Sequence, residues 1–230
     1  MKKVFITGGD GALGKALKVH MGSNFEVLAP NKIECDILNP LQLESLITQF
    51  SPDIVIHLAA FVDTFGCEND IAKALDVNVI GTINIVKVCS KINCKFVYVS
   101  SEYVFGGEKG SYSVKDRLDP INVYGKTKSS SEYIVSILPN YQIIRAPFIR
   151  KIYPKVFTDQ YCSRYFIDEV LDKIIDNILY NSDNIIHIAS ERMSLYELYK
   201  KKGIEAEPIT MPEDQLGIIP KDTSLINNSI

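Results

Sequence analysis

Val4-Phe5-Ile6-Thr7-Gly8-Gly9-Asp10-Gly11-Ala12-Leu13-Gly14 is the stretch that decides the fold. A short apolar run ends at Thr7, and Gly8, Gly11 and Gly14 follow with the spacing G-x-x-G-x-x-G. A helical pattern then takes over, with Leu13, Ala16, Leu17, Val19 and Met21 apolar and Lys15 and Lys18 outside it. Run, turn and pattern read as strand, glycine turn and helix. Glycines there permit a tight turn, a close backbone approach to a pyrophosphate and close helix–sheet packing, with the helix N-terminus facing the anion. A ligand-free glycine turn carries the same local signature. Its place between a first strand and a first helix favours dinucleotide binding.

Working outward, the same alternation repeats. Strands are expected at Phe25–Ala29, Asp53–Ala60, Phe96–Ser100 and Tyr141–Arg145. Helices are expected from Pro40 with Asn39 as N-cap, over Ile71–Ile92, and from Val123 onward. The run from Asp53 is apolar throughout, as in a strand covered on both faces. Strand and helix alternating five times imply an α/β fold, a doubly wound parallel Rossmann sheet with right-handed crossovers. After Arg150 the pattern thins to a helix at Asp168–Tyr180, a strand at Asn184–Ala189, a helix at Leu195–Lys202 and a loop-like tail. The expected division is a dinucleotide-binding domain at 1–150 and a small, shortened substrate-binding lobe at 151–230, packed on it and not independent.

With 230 residues, 46% of them apolar and 23% charged, the chain has the make-up of a globular protein. A formal charge of −3 argues against nucleic acid as a partner, and no apolar run reaches a membrane span. The run after Lys2 and Lys3 is too short for a signal peptide and reads as the first strand. Five cysteines without a Cys-x-x-Cys fit reduced thiols, a cytoplasmic location and no metal site. His57 and the other two histidines read as structural.

Val123-Tyr124-Gly125-Lys126-Thr127-Lys128 places Tyr124 and Lys128 one helical turn apart. A lysine ammonium beside a phenol lowers its pKa, so the pair suits proton donation to a developing alkoxide. The spacing alone is common, and Tyr196 and Lys200 repeat it. Strand two ends without an acid for ribose hydroxyls. Lys32 could instead meet a 2′-phosphate, which favours NADPH and leaves NADH as the alternative. Asp36 is a candidate for the adenine amino group.

These segments come in the order seen in extended short-chain dehydrogenase/reductases: Thr7–Gly14, Cys35-Asp36-Ile37, His57-Leu58-Ala59-Ala60, Val77-Asn78, Val99-Ser100-Ser101, then Tyr124 with Lys128. Within that superfamily, Ser100-Ser101-Glu102-Tyr103-Val104-Phe105-Gly106-Gly107 resembles the Ser-Thr-Asp-Tyr-Val-Phe-Asp-Gly stretch of dTDP-4-dehydrorhamnose reductases. Cys67-Glu68, Ile188-Ala189, Glu191-Arg192-Met193-Ser194 and Pro220–Leu225 add to the likeness.

The resemblance implies NADPH-dependent reduction of the 4-keto group of a nucleotide-linked 4-keto-6-deoxy sugar, a step toward dTDP-rhamnose and polysaccharide. Ser101 would hold the substrate carbonyl, Tyr124 would protonate it, and Lys128 would hold the ribose. Gly8, Gly11, Ala12, Leu13, Gly14, Lys32, Asp36, Ile37, Leu58, Ala59, Ala60 and Asn78 would surround the cofactor, and Glu102 and Tyr103 the sugar. Relatives that epimerise before reducing carry Cys where this chain has Glu102, which favours simple reduction. A 4-epimerase, an epimerase/reductase, and a non-catalytic NADP-binding subunit are the alternatives. The stretch Lys151–Tyr161 is compressed against longer relatives. The substrate is the expected partner, with homodimerisation left open.

Overall fold

The computed structural model describes residues 1–230. Strand β1 (Lys2–Thr7) leads into helix α1 (Ala12–Met21), followed by β2 (Phe25–Leu28), α2 (Pro40–Phe50) and β3 (Ile54–His57). Asn39 caps α2 as its sequence requires, its side chain accepting the Gln42 N–H at 3.2 Å with Pro40 at the first helical position. A short helix α3 (Thr64–Asn69), which the sequence pattern does not reveal, precedes α4 (Ile71–Leu75). A π turn at Asp76–Ile80 joins α4 to α5 (Gly81–Cys89), where one uninterrupted helix is expected. Then come β4 (Lys95–Ser100), α6 (Val123–Val135) and β5 (Tyr141–Arg145).

Short strands β6 (Phe148–Ile149), β7 (Lys155–Phe157), β8 (Tyr161–Cys162) and β9 (Tyr165–Phe166) follow, then α7 (Ile167–Tyr180), β10 (Ile185–His187), β11 (Met193–Ser194), α8 (Leu195–Lys201) and β12 (Glu207–Ile209). The central sheet has six parallel strands in the order β10-β5-β4-β3-β1-β2. The order reverses between β1 and β3, and in such sheets the crevice at the strands' C-terminal ends is where ligands bind.

Alternation along the strands gives each face its own core. Val4, Ile6, Val97 and Val99 pack toward α1 and α7, while Phe5, Val55, Phe96 and Tyr98 pack toward α2 and α5. The boundary at residue 150 does not follow these layers. Val170, Leu171, Ile174 and Ile178 of α7 lie in the first core, with Ile186 of β10, because their apolar stripe covers that sheet face. What remains as a lobe is smaller, with a core around Ile149, Val156, Cys162, Leu195, Leu198 and Tyr199.

The tail also differs from a plain loop. β12 pairs with β7, Leu225 bridges to Tyr112, and Asn227 and Asn228 accept the N–H groups of Ala189 and His187 beside the edge strand. Covering an edge in this way satisfies backbone groups that would otherwise stay open for pairing.

One buried ion pair fastens α6 to β5. Arg145 Nε donates to Glu132 Oε1 at 2.9 Å and its Nη2 to Oε2 at 2.6 Å, with the two side chains 3% and 4% exposed. Arg145 also donates to His187 Nε2 at 3.1 Å. Removing one partner of such a pair strands a charge in the interior, at a cost of about 3–5 kcal/mol. Glu132→Gln should therefore lose that much in urea unfolding, and a loss below about 1 kcal/mol would show that the pair does not hold α6 in place.

Candidate active site

At the sheet's reversal point, Gly8 sits at φ +70°, a conformation that side chains resist, and a Cβ on it would lie 2.9 Å from the Ala59 nitrogen. The turn and the segment after β3 therefore lie against each other. Thr7 fixes the contact, its Oγ1 accepting the N–H groups of Leu58 and Ala59, both at 3.2 Å. This explains why β3 stops at His57 although the apolar run continues to Ala60. Helix α1 has Gly11 at its N-cap, so no side-chain cap, and no acid in its first turn, whereas α2, α6 and α8 are capped by Asn39, Asn122 and Ser194. Open N–H groups at a helix start, beside a turn whose only side chain is that of Asp10, suit a phosphate.

A cleft of ≈ 250 Å³ opens over this turn. Of the residues expected around a cofactor, it is lined by Gly8, Gly11, Lys32, Asp36, Ile37, Leu58, Ala59 and Ala60. Asp10, Cys35, Leu38 and Val77 join them, each the sequence neighbour of a residue expected there. Lys32 is exposed on the rim. Asp36 accepts the Leu38 N–H at 3.0 Å and so shapes its own loop. Ala12 is exposed, Gly14 is buried, and Leu13 places its side chain in the core, which leaves its backbone for any ligand.

Asn78 does not line the cleft but holds its wall. In the π turn, its Oδ1 accepts the Phe61 N–H at 2.7 Å, and its Nδ2 donates to the Phe61 carbonyl at 3.0 Å and to Thr127 Oγ1 of α6 at 2.9 Å.

Helix α6 begins at a double cap. Asn122 Oδ1 accepts the Gly125 N–H at 2.7 Å, and Glu68 Oε1 of α3 accepts the Val123 N–H at 2.6 Å. Gly125 allows the helix to close on the segment after β4, because a Cβ there would lie 2.1 Å from the Tyr103 carbonyl oxygen. This brings Tyr124 against Tyr103, ring centroids 6.2 Å apart and edge to face, and beside Ser101.

The electrostatics differ from what the Tyr–Lys spacing suggests. Burial and the Glu102 carboxylate push the Tyr124 phenol well above its ordinary range, while the Ser101 hydroxyl pulls the other way. Lys128 turns its ammonium to the end of β4. Its Nζ donates to the Val99 carbonyl at 2.8 Å and lies 4.0 Å from the centre of the Tyr98 ring. Burial brings Lys128 itself down to about 7, against a smaller upward pull from Glu132.

Glu102 and Tyr103 face a residue that the sequence does not flag. Arg164 Nη2 lies 2.8 Å from Glu102 Oε1, and its guanidinium also reaches the Tyr103 hydroxyl, Nη2 to Oη 3.5 Å. Glu102 Oε2 accepts the Ser101 hydroxyl at 2.9 Å. Ser101, Glu102, Tyr103 and Tyr124 are thus linked by successive contacts, with Lys128 one turn along α6. Tyr196 lies on α8 and packs against the lobe core.

The family model described as "RmlD substrate binding domain" matches residues 1–178. A dTDP-4-dehydrorhamnose reductase of Aggregatibacter actinomycetemcomitans is 35% identical over 147 residues, 63% of this chain and 50% of that protein. The spore coat polysaccharide biosynthesis protein SpsK of Bacillus subtilis is 26% identical over 243 residues, 94% of this chain and 85% of that protein. The chain thus spans about half the length of the first of these curated relatives. A crystal structure of dTDP-4-dehydrorhamnose reductase from Bacillus anthracis, in complex with NADP, shares the fold, with a TM-score of 0.89 at 24% identity over 99% of this chain and 91% of that one. No helix is long and apolar enough to cross a membrane.

The lowered pKa of Lys128 fixes a sign. Between about 7 and its ordinary value of 10.5, the unfolded chain binds a proton that the folded chain lacks, so stability contributed at this position rises with pH through that window. The difference in unfolding free energy between the wild type and Lys128→Met should grow in favour of the wild type by on the order of 1–2 kcal/mol from pH 7 to 9. A flat difference would mean that the lysine keeps an ordinary pKa.

Proposed function

The chain belongs to the RmlD substrate binding domain family, and from that premise we propose that it reduces the 4-keto group of a nucleotide-linked 4-keto-6-deoxy sugar, with Tyr124 as proton donor and NADPH as reductant. The reading rests on one observation: Tyr124 and Ser101 meet at the end of β4, on the sheet edge that also carries the uncapped glycine turn.

NADPH, when bound, supplies the hydride. The side chains do the rest. Gly8, Gly11 and the start of α1 would take the pyrophosphate, and Lys32 would meet the 2′-phosphate from the rim of the cleft. Ala59 and Ala60 offer small side chains as a wall. Lys128 would hold the ribose hydroxyls.

Tyr124 carries its proton at neutral pH, because burial and Glu102 hold its pKa up. A phenol that is still protonated is the form needed to give a proton to the carbonyl oxygen as negative charge develops there. Ser101 would be the second donor to that oxygen. Its hydroxyl turns from Glu102 to the substrate to do so.

Glu102 favours reduction over epimerisation. Arg164 holds Oε1 from both Nη2 and Nε, at 2.8 and 3.0 Å, so the carboxylate acts as an ion-paired anchor, even while the Ser101 hydroxyl turns to the substrate, rather than as an acid/base for exchange at sugar carbons. A reducing cytoplasm fits the five free, buried cysteines.

The test is turnover of NADPH with dTDP-4-dehydrorhamnose, followed by loss of reduced-nicotinamide absorbance. Tyr124→Phe should lower kcat about 10²–10⁴-fold while NADPH binding persists. Nucleotide binding without turnover on any nucleotide-linked keto sugar would mean a non-catalytic subunit, and solvent deuterium entering the sugar beside the ketone would mean an epimerase.

A further inference from the structure

His57 is 1% exposed and has no place in the proposed chemistry, yet both ring nitrogens are engaged. Its partners fix the tautomer. The Thr82 hydroxyl has one hydrogen and donates it to the Asn78 carbonyl at 2.6 Å. Its other contact, His57 Nε2 at 3.0 Å, must therefore be the donor, and Nε2 carries the ring proton. Nδ1 is then bare and accepts from Thr7 Oγ1 at 2.7 Å. The hydrogen of Thr7 being engaged there, its lone pairs take the N–H groups of Leu58 and Ala59. Every donor in this chain has an acceptor; the opposite tautomer would set the Thr7 hydrogen against Nδ1–H and leave Thr82 one hydrogen for two acceptors, Nε2 and the Asn78 carbonyl.

The chain continues past Asn78. The Asn78 carbonyl also accepts the Ser131 hydroxyl of α6 at 2.7 Å, and its amide reaches Thr127, whose hydroxyl donates to the Tyr124 carbonyl at 2.8 Å. The segment Leu58–Phe61 is thus held at its start by Thr7 and at its end by Asn78, and His57 with Thr82 joins the two holds.

We propose that His57, in its Nε2–H neutral tautomer, is a positioning residue that keeps the Leu58–Ala60 wall of the dinucleotide cleft in register with the helix carrying Tyr124 and Lys128. The inference rests on the functional reading above for what the cleft and helix do. Around the ring, β4 presents the rings of Phe96 and Tyr98, 6.2 and 5.6 Å between centroids, and the Tyr98 hydroxyl reaches Thr82 and Ser131, with burial holding that phenol well above its ordinary range. Burial, and then the nearby Lys128 ammonium, bring the imidazole down to about 3, so it stays neutral.

The experiment uses the full chain with ¹⁵N-labelled histidine. In the wild type the ¹⁵N spectrum should show His57 protonated at Nε2 and bare at Nδ1, unchanged from pH 5 to 8. Thr82→Val keeps the shape and removes the hydroxyl. It should abolish the single-tautomer signature and weaken NADPH binding about 10-fold by fluorescence titration, as for a buried donor left without a partner. Thr82→Ser should restore both. An Nδ1–H tautomer in the wild type would overturn the proposal even if the valine variant failed to fold. So would a folded Thr82→Val with wild-type NADPH affinity. Neither readout needs the sugar, so absent turnover sinks only the reductase reading. A wrong tautomer sinks only this one.

Discussion

Two helices cross behind the sheet, and the buried polar groups at the crossing must find partners there. The Asn78 carbonyl sits in the π turn at Asp76–Ile80 and takes two hydroxyls, one from Thr82 of its own helix and one from Ser131 of α6. The Asn78 side chain meanwhile pairs with both backbone groups of Phe61. π turns recur at functional sites because they re-aim groups that a regular helix would keep for itself. Here the re-aimed groups tie the cleft wall to α6, so the glycine turn and Tyr124, more than a hundred residues apart in sequence, share one frame.

A second constraint is electrostatic. Placing Glu102 beside Tyr124 in a buried setting is costly unless the carboxylate is paired, and Arg164 supplies the pair from the segment between β8 and β9. The small lobe therefore does more than cover the sheet. It neutralises a charge that holds the Tyr124 proton in place, and it positions Ser101 through Glu102.

What the sequence could reveal divides along a physical line. Strands β1, β3, β4 and β5 were legible because buried parallel strands are continuous apolar runs. The α2 cap was legible because Asn39 and Pro40 act locally. The glycine turn and the Tyr124–Lys128 helix belong to the same class. The π turn was not legible, since its apolar spacing is that of an ordinary helix. Nor was α3, too short to show a period. Arg164 lies 62 residues from Glu102, and nothing local marks it as that residue's partner. The position of the Lys128 ammonium was hidden for a related reason: spacing on a helix places it one turn from Tyr124, but the Val99 carbonyl and the Tyr98 ring decide where it goes.

The central claim is that one sheet edge holds a dinucleotide on the glycine turn and presents it to Tyr124. A crystal structure of the protein grown with NADP⁺ tests it most directly. The account predicts pyrophosphate density over Gly8 and Gly11 at the start of α1, the nicotinamide ring beside Tyr124, and the Lys128 ammonium on the ribose hydroxyls. Density elsewhere, or a nicotinamide placed away from Tyr124, would contradict it.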